Sequence, residues 1–243
     1  MDVSRRHLAS KPWIFPLFGL LSALATFAWT AAAHPFFVVS NRPDHSTSDL
    51  ASQRSARVYQ LQLAERKNAM IVFSIAGSLM AISTVLAAPT DRTMALRMTA
   101  GLEWGALWGV MTGYVAALTL SLFTAGRDDA AMVAVGVTQA IAFGLLGCGM
   151  GLMAGGLRRM FRQSAKSALV ATAAGAISGF CGAILLQVLF ASSDGFIADG
   201  VTRLIPSRPA AQWLWITIPL VTIAASLTRW QRPDRSSNAP LEP

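Results

Sequence analysis

Few side chains in this sequence are equipped for chemistry. Ser178 stands in the run Gly175-Ala176-Ile177-Ser178-Gly179, a setting in which a serine hydroxyl could act as a nucleophile if a base took its proton. The histidines are His7, His34 and His45, and none shares an apolar stretch with Ser178. No catalytic residue is therefore expected. Cys148 and Cys181 have no metal-ligand spacing, so neither a metal nor a cofactor is expected. Three polar side chains inside apolar stretches remain: Glu103, Gln139 and Gln187. In lipid, ionisable and polar groups mark ion or substrate paths by default. Glu103 falls about one turn from the end of its stretch, within reach of headgroups or of Arg97. Gln139 and Gln187 are expected to hydrogen-bond to each other as structural glue.

The elements that hold these residues follow from composition. Of 243 residues, 53% are apolar and 13% are charged, about half the ~25% charge of soluble proteins. That excludes a soluble enzyme, a disordered chain and a disulfide-rich secreted domain. Apolar stretches at about 13–33, 69–88, 100–124, 131–155, 167–191 and 211–228 each approach the roughly 20 residues that cross a bilayer. Backbone groups in lipid must be bonded within the structure, so these stretches are read as helices. The expected fold is all-α: a polytopic membrane protein with six transmembrane helices in a glycine-rich, tightly packed bundle. Its expected parts are a cytoplasmic segment with the first helix (1–34), an extramembrane loop and helical extension (35–68), and a four-helix core (69–192). An interfacial helix with the sixth span (193–229) and a disordered tail (230–243) complete it.

Twenty basic residues against twelve acidic ones give a net charge of +8. No basic patch carries a nucleic-acid recognition motif, so no nucleic-acid partner is expected. In a membrane protein the basic residues set orientation instead. With the N-terminus inside, Arg5, Arg6 and Lys11, Arg92 and Arg97, Arg158, Arg159, Arg162 and Lys166, and Arg229, Arg232 and Arg235 fall on the inner side. The outer side holds fewer, mostly in the long 34–68 connection. Trp13, Trp104 and Trp230 then fall near the inner face and Trp29, Trp213 and Trp215 near the outer, where indoles favour headgroups. Both termini are expected in the cytoplasm, with the protein integral to the cytoplasmic (inner) membrane. The first span competes with a signal peptide ending at Ala31-Ala32-Ala33. Its apolar run of about 17 residues exceeds the usual signal core of roughly 7–15, which favours an uncleaved anchor.

Glycine spacing is the strongest pattern. Gly101, Gly105, Gly109 and Gly113 recur every fourth residue, as do Gly147, Gly151 and Gly155. Ala171, Gly175, Gly179 and Ala183 form a third row, and Ala69, Phe73, Gly77 and Ala81 a weaker fourth. A spacing of four returns to nearly the same helical face, so each row is a groove without side chains. Such grooves let helices associate in lipid by close van der Waals approach. Internal seams are the simpler reading, and a row facing a second copy the other.

Outside the membrane, Ser46-Thr47-Ser48-Asp49 reads as a helix cap. Good helix formers then run unbroken into the second span, which predicts one helix over 49–88. Phe196, Ile197, Val201, Leu204 and Ile205 recur at helical spacing and predict a short amphipathic helix lying in the interface. Cys148 and Cys181 differ in expected depth by roughly 10 Å at 1.5 Å per residue, too far for a disulfide.

Over 64–206, the run Arg66-Lys67-Asn68-Ala69, the glycine rows, the GLLGCGMGLMAGG and AGAISGFCGAIL runs and Thr202-Arg203-Leu204 carry a likeness. They resemble an uncharacterised group of glycine-rich multi-pass bacterial membrane proteins. That resemblance implies a packed bundle and no activity. The 175–179 run also resembles the serine motif of rhomboid-type intramembrane proteases, but Ala176 departs from its pattern and no histidine stands near. Three function classes are weighed. The first is a non-enzymatic structural or accessory subunit, whose partners would be membrane lipid and a second copy or other members of a membrane assembly. The second is a channel or transporter component with a site between helices four and five, built from Thr138, Gln139, Ser178 and Gln187. The third is a membrane enzyme.

Overall fold

The computed structural model describes residues 13–32, 50–87, 94–124, 131–156, 161–190, 196–198 and 201–228. Among the described residues six helices carry the fold: α1 Ile14–Ala32, α2 Leu50–Ala87, α3 Met94–Thr124, α4 Ala131–Gly156, α5 Phe161–Leu189 and α6 Pro209–Thr228. All six are long and apolar enough to cross a membrane, and the protein is an all-α, multi-pass membrane bundle. The capping run at 46–49, the histidines and the C-terminal tail lie outside the described residues.

The unbroken helix expected over 49–88 is present as the 38-residue α2. α6 opens on Pro209, a residue suited to a first turn, whose amide would lack a helical partner in any case. Pro219 sits inside α6 and is buried. Lacking an N–H, it leaves the carbonyl of Trp215 without its helical donor.

Neighbouring helices close into a ring. α2 packs on α3, α4 on α5 and α6 on α1, and α1–α2, α3–α4 and α5–α6 contacts join the pairs. α4 also reaches inward to α2 and α6. Where these three meet, each supplies one aromatic ring. Phe73, Phe143 and Trp215 form a triangle with ring centres 5.4, 5.6 and 5.8 Å apart. The tilted and edge-on geometry sets the positive edge of one ring toward the negative face of another. Met80, Leu146, Met150, Leu220 and Ile223 extend this core and are fully enclosed.

The pairs themselves are held differently. Along α3, a Cβ added to Gly105 would strike the backbone of Gly77, and one on Gly109 the backbone of Phe73. One on Gly113 would lie 2.6 Å from the Ala69 backbone, and Gly101 faces Val85 and Ala81. The row on α3 therefore lies on the weaker row of α2, turn against turn and antiparallel. The second pair repeats the device: Gly147 meets Ala171, Gly151 meets Ala168 and Gly155 meets Ser164. From the other side, Gly175 meets Phe143 and Gly179 meets Gln139. These rows are seams within one chain, with helix backbones in direct contact. Glycine Cα–H groups against carbonyl oxygens add weak hydrogen bonds to such a contact.

α1 and α6 also approach closely. A Cβ on Gly19 would lie 2.7 Å from Cβ of Ala224, and Phe27 meets Trp213 edge-on at 5.5 Å.

The segment before α6 departs from expectation. In place of an amphipathic interfacial helix there is a two-residue antiparallel hairpin, β1 Ile197–Ala198 and β2 Val201–Thr202. The Arg203 amide donates to the Phe196 carbonyl at 2.6 Å, extending the ladder. The reason is legible in hindsight. Asp199-Gly200 lies between the strands, and this dipeptide is among the strongest signals for a two-residue β-turn. The residues that seemed to form one apolar helical face instead divide between the hairpin and a descending loop, in which Phe196 and Leu204 are buried.

Candidate functional site

The densest buried polar network lies where this hairpin seats between α2, α4 and α6. Gln139 is completely buried, and its amide must find partners or cost the desolvation of both ends. Its Nε2 donates to the Leu204 carbonyl at 2.6 Å. Its Oε1 accepts from the Trp215 indole Nε1–H at 2.9 Å. One side chain thus ties α4 to the loop and to α6. It stands one turn from Phe143, directly above the aromatic triangle.

Glu65 of α2 completes the seat. Its Oε1 accepts from the backbone N–H groups of Leu204 and Ile205, at 2.8 and 3.0 Å. The two donors are successive amides of the loop, so one carboxyl oxygen holds two backbone groups that would otherwise be unpaired. Both backbone polar groups of Leu204 are therefore held, its N–H by Glu65 and its C=O by Gln139. At the start of α6, Gln212 Nε2 donates to the Pro206 carbonyl at 2.7 Å, pinning the end of the loop.

Glu65 received no role from the sequence, where it reads as one more helix former. A signal was present: Glu65, Ala69 and Phe73 share one stripe of α2, and Ala69 and Phe73 are buried. An acid on an inward stripe requires a partner, though spacing alone does not name one 139 residues away.

The other polar residues do not converge. Gln139 and Gln187, expected to bond to each other, are two turns apart along the α4–α5 seam. Gln139 lies against Gly179, whereas Gln187 donates to the Met132 carbonyl at 3.4 Å near the start of α4. The antiparallel register fixed by the glycines separates them. Ser178 donates within its own helix, to the carbonyls of Ala174 and Gly175 at 2.6 and 3.1 Å. Thr138 is buried, with no hydrogen-bond partner on Oγ1. Glu103 is exposed on α3, and six residues set it about 120° around the helix from Arg97. Among the described residues no group of three His, Cys, Asp or Glu side chains could hold a metal ion. Cys148 and Cys181 are free thiols.

Two indoles placed near headgroups by the sequence reading turn inward. Trp215 is buried in the aromatic triangle. Trp104 donates to the Gly149 carbonyl at 3.0 Å and stacks on Trp108, ring centres 5.4 Å apart. Both point at carbonyls or amides that lipid could not satisfy. Trp13 and Trp29 remain substantially exposed.

Comparison with protein-family models, with curated proteins and with solved structures finds no match to this chain.

Proposed function

We propose that this protein is a non-enzymatic structural or accessory subunit of a membrane assembly, seated in the cytoplasmic (inner) membrane with both termini in the cytoplasm. The observation that carries this reading is what the intramembrane polar side chains are bonded to. Gln139 is committed to Leu204 and Trp215, Ser178 to its own helix and Gln187 to the first turns of α4. A transport site needs such groups gathered on a shared space at the midplane. Here they are divided among separate seams, which favours a rigid support over a conduit.

The surface best placed for a partner is the first part of α2. Arg57, Val58, Tyr59 and Gln60 are all exposed there, with Tyr59 at 67%. The distribution of Lys and Arg supports the orientation. The test is gentle extraction of the native, tagged chain into nanodiscs, followed by particle mass and identification of co-purifying proteins. The expected result is a discrete larger assembly with stoichiometric partners that Tyr59→Ala weakens. A lone chain that conducts ions or solute in liposomes, with flux abolished by Glu103→Gln or Gln139→Leu, would overturn the reading.

A further inference from the structure

Two charged side chains stand on the outer surface of the bundle among apolar ones. Glu103 of α3 and Lys166 of α5 are both exposed, and neither has a hydrogen bond or an ion pair among the described residues. Helical spacing puts Glu103 on one stripe with Leu107 and Met111, which are 70% and 40% exposed. Lys166 begins the matching stripe of α5, followed by Leu169, Ala173 and Ile177, all exposed. An acid on a lipid-facing stripe is costly unless a cation or another polar group meets it.

The two charges lie at nearly one depth. The indoles of Trp104 and Trp108 donate to the carbonyls of Gly149 and Leu145, which sets Glu103 level with Met150 of α4. Gly151 lies against Ala168 and Gly155 against Ser164, which sets Lys166 level with Met153. From Met150 to Met153 is about 5 Å at 1.5 Å per residue, a gap that a lysine side chain spans. α3 and α5 each run antiparallel to α4, which packs between them, so they are parallel to each other.

We propose that α3 of one chain docks on α5 of a second copy in the same membrane, with Glu103 of the first paired to Lys166 of the second. Two copies inserted the same way bring these stripes together in parallel, charge opposite charge. Charge complementarity selects both the occupant and the pairing, because α3 on α3 or α5 on α5 would set like charges at the same depth. Ala173, a small residue between Leu169 and Ile177, lets the long side chains of α3 approach closely. The inference rests on the reading of this chain as an assembly subunit and names the chain itself as one partner.

The test uses the purified full chain, labelled at its C-terminus with donor or acceptor dye, in phosphatidylcholine vesicles. Energy transfer is followed as the protein-to-lipid ratio falls. The wild-type chain is expected to self-associate. Glu103→Lys and Lys166→Glu should each weaken association about tenfold or more, since like charges then meet. Mixing the two variants should restore it, because each supplies the charge the other lacks. Undiminished association in both folded variants overturns the proposal, and so does a mixture no stronger than either variant alone. A wild-type chain that stays single also overturns it, while proteins co-purifying from native membrane would leave the assembly reading standing. If a charge reversal prevents folding, Glu103→Gln and Lys166→Gln replace it, and no loss of association in either overturns the proposal.

Discussion

The two glycine-seamed pairs and the hairpin end are held by opposite means. At the seams, α2 meets α3 and α4 meets α5 through missing side chains, backbone against backbone. At the hairpin end, the contact is made by some of the largest and most polar side chains of the core: Trp215, Phe143, Gln139 and Glu65. Lipid tails supply no hydrophobic force between helices. A membrane protein therefore has two routes to association, closer van der Waals approach or hydrogen bonds that lipid cannot replace. This chain uses the first along the length of two helix pairs and the second to fasten a short irregular segment over α2, α4 and α6.

The difference predicts how each region breaks. A seam has little give, because what faces Gly105, Gly109, Gly113, Gly147 and Gly151 is main chain. Gly109→Leu would drive a side chain into the Phe73 backbone, and Phe73 also supplies a ring to the central triangle. Helix separation should cost more than about 3 kcal/mol, above the usual range for overpacking. The expected outcome is loss of monodisperse protein in detergent. Gly156→Ala is the control, since nothing lies within 4 Å of its added Cβ. Its effect should stay within about 0.5 kcal/mol, as at an ordinary surface position.

At the hairpin end the largest single effect should come from Gln139→Leu. It leaves the Leu204 carbonyl and the Trp215 N–H without partners, each a desolvation loss of about 1–3 kcal/mol in a buried site. A total of at least about 2 kcal/mol in thermal stability is expected, with faster amide exchange confined to the loop and the first turns of α6. Uniform acceleration across α4 and α5 would mean that Gln139 holds the seam rather than the loop.

Glu65→Ala should cost somewhat less, about 1–2 kcal/mol, because two backbone donors lose their shared acceptor. It should release the Leu204 and Ile205 amides to exchange. Glu65→Gln keeps an acceptor oxygen and gives up the charge, so an intermediate loss is expected. If Gln equals Ala, the carboxylate charge and not the acceptor geometry holds the loop.

How much of this was legible in the sequence follows the same division. The seams were readable because their signal is local: a glycine every fourth residue is visible within one helix, whatever it packs against. The length of α2 was readable for the same reason. The hairpin end was not, because its bonds join Glu65 to Leu204 and Gln139 to Trp215 across 139 and 76 residues. Helical spacing of Phe196, Ile197, Val201, Leu204 and Ile205 also outweighed the Asp199-Gly200 turn signal, although a turn dipeptide is the more specific cue over so short a segment. Depth along the membrane proved readable only to within two turns, which was enough to pair Gln139 with Gln187 although its partners are Leu204 and Trp215.

That mispaired residue gives the smallest and most discriminating prediction. Gln187 makes one long hydrogen bond, 3.4 Å to the Met132 carbonyl, at an exposed edge of the α4–α5 pair. Gln187→Leu should change stability by less than about 0.5 kcal/mol, at or below the typical hydrogen bond between membrane helices. The double variant Gln139→Leu with Gln187→Leu should equal the sum of the two single effects, since residues without shared partners are additive to within about 0.5 kcal/mol. A coupling above that limit would mean that the two amides communicate across two helical turns. A polar path from Gln139 to the start of α4 would then have to exist, and the case for a conduit between α4 and α5 would reopen at that point.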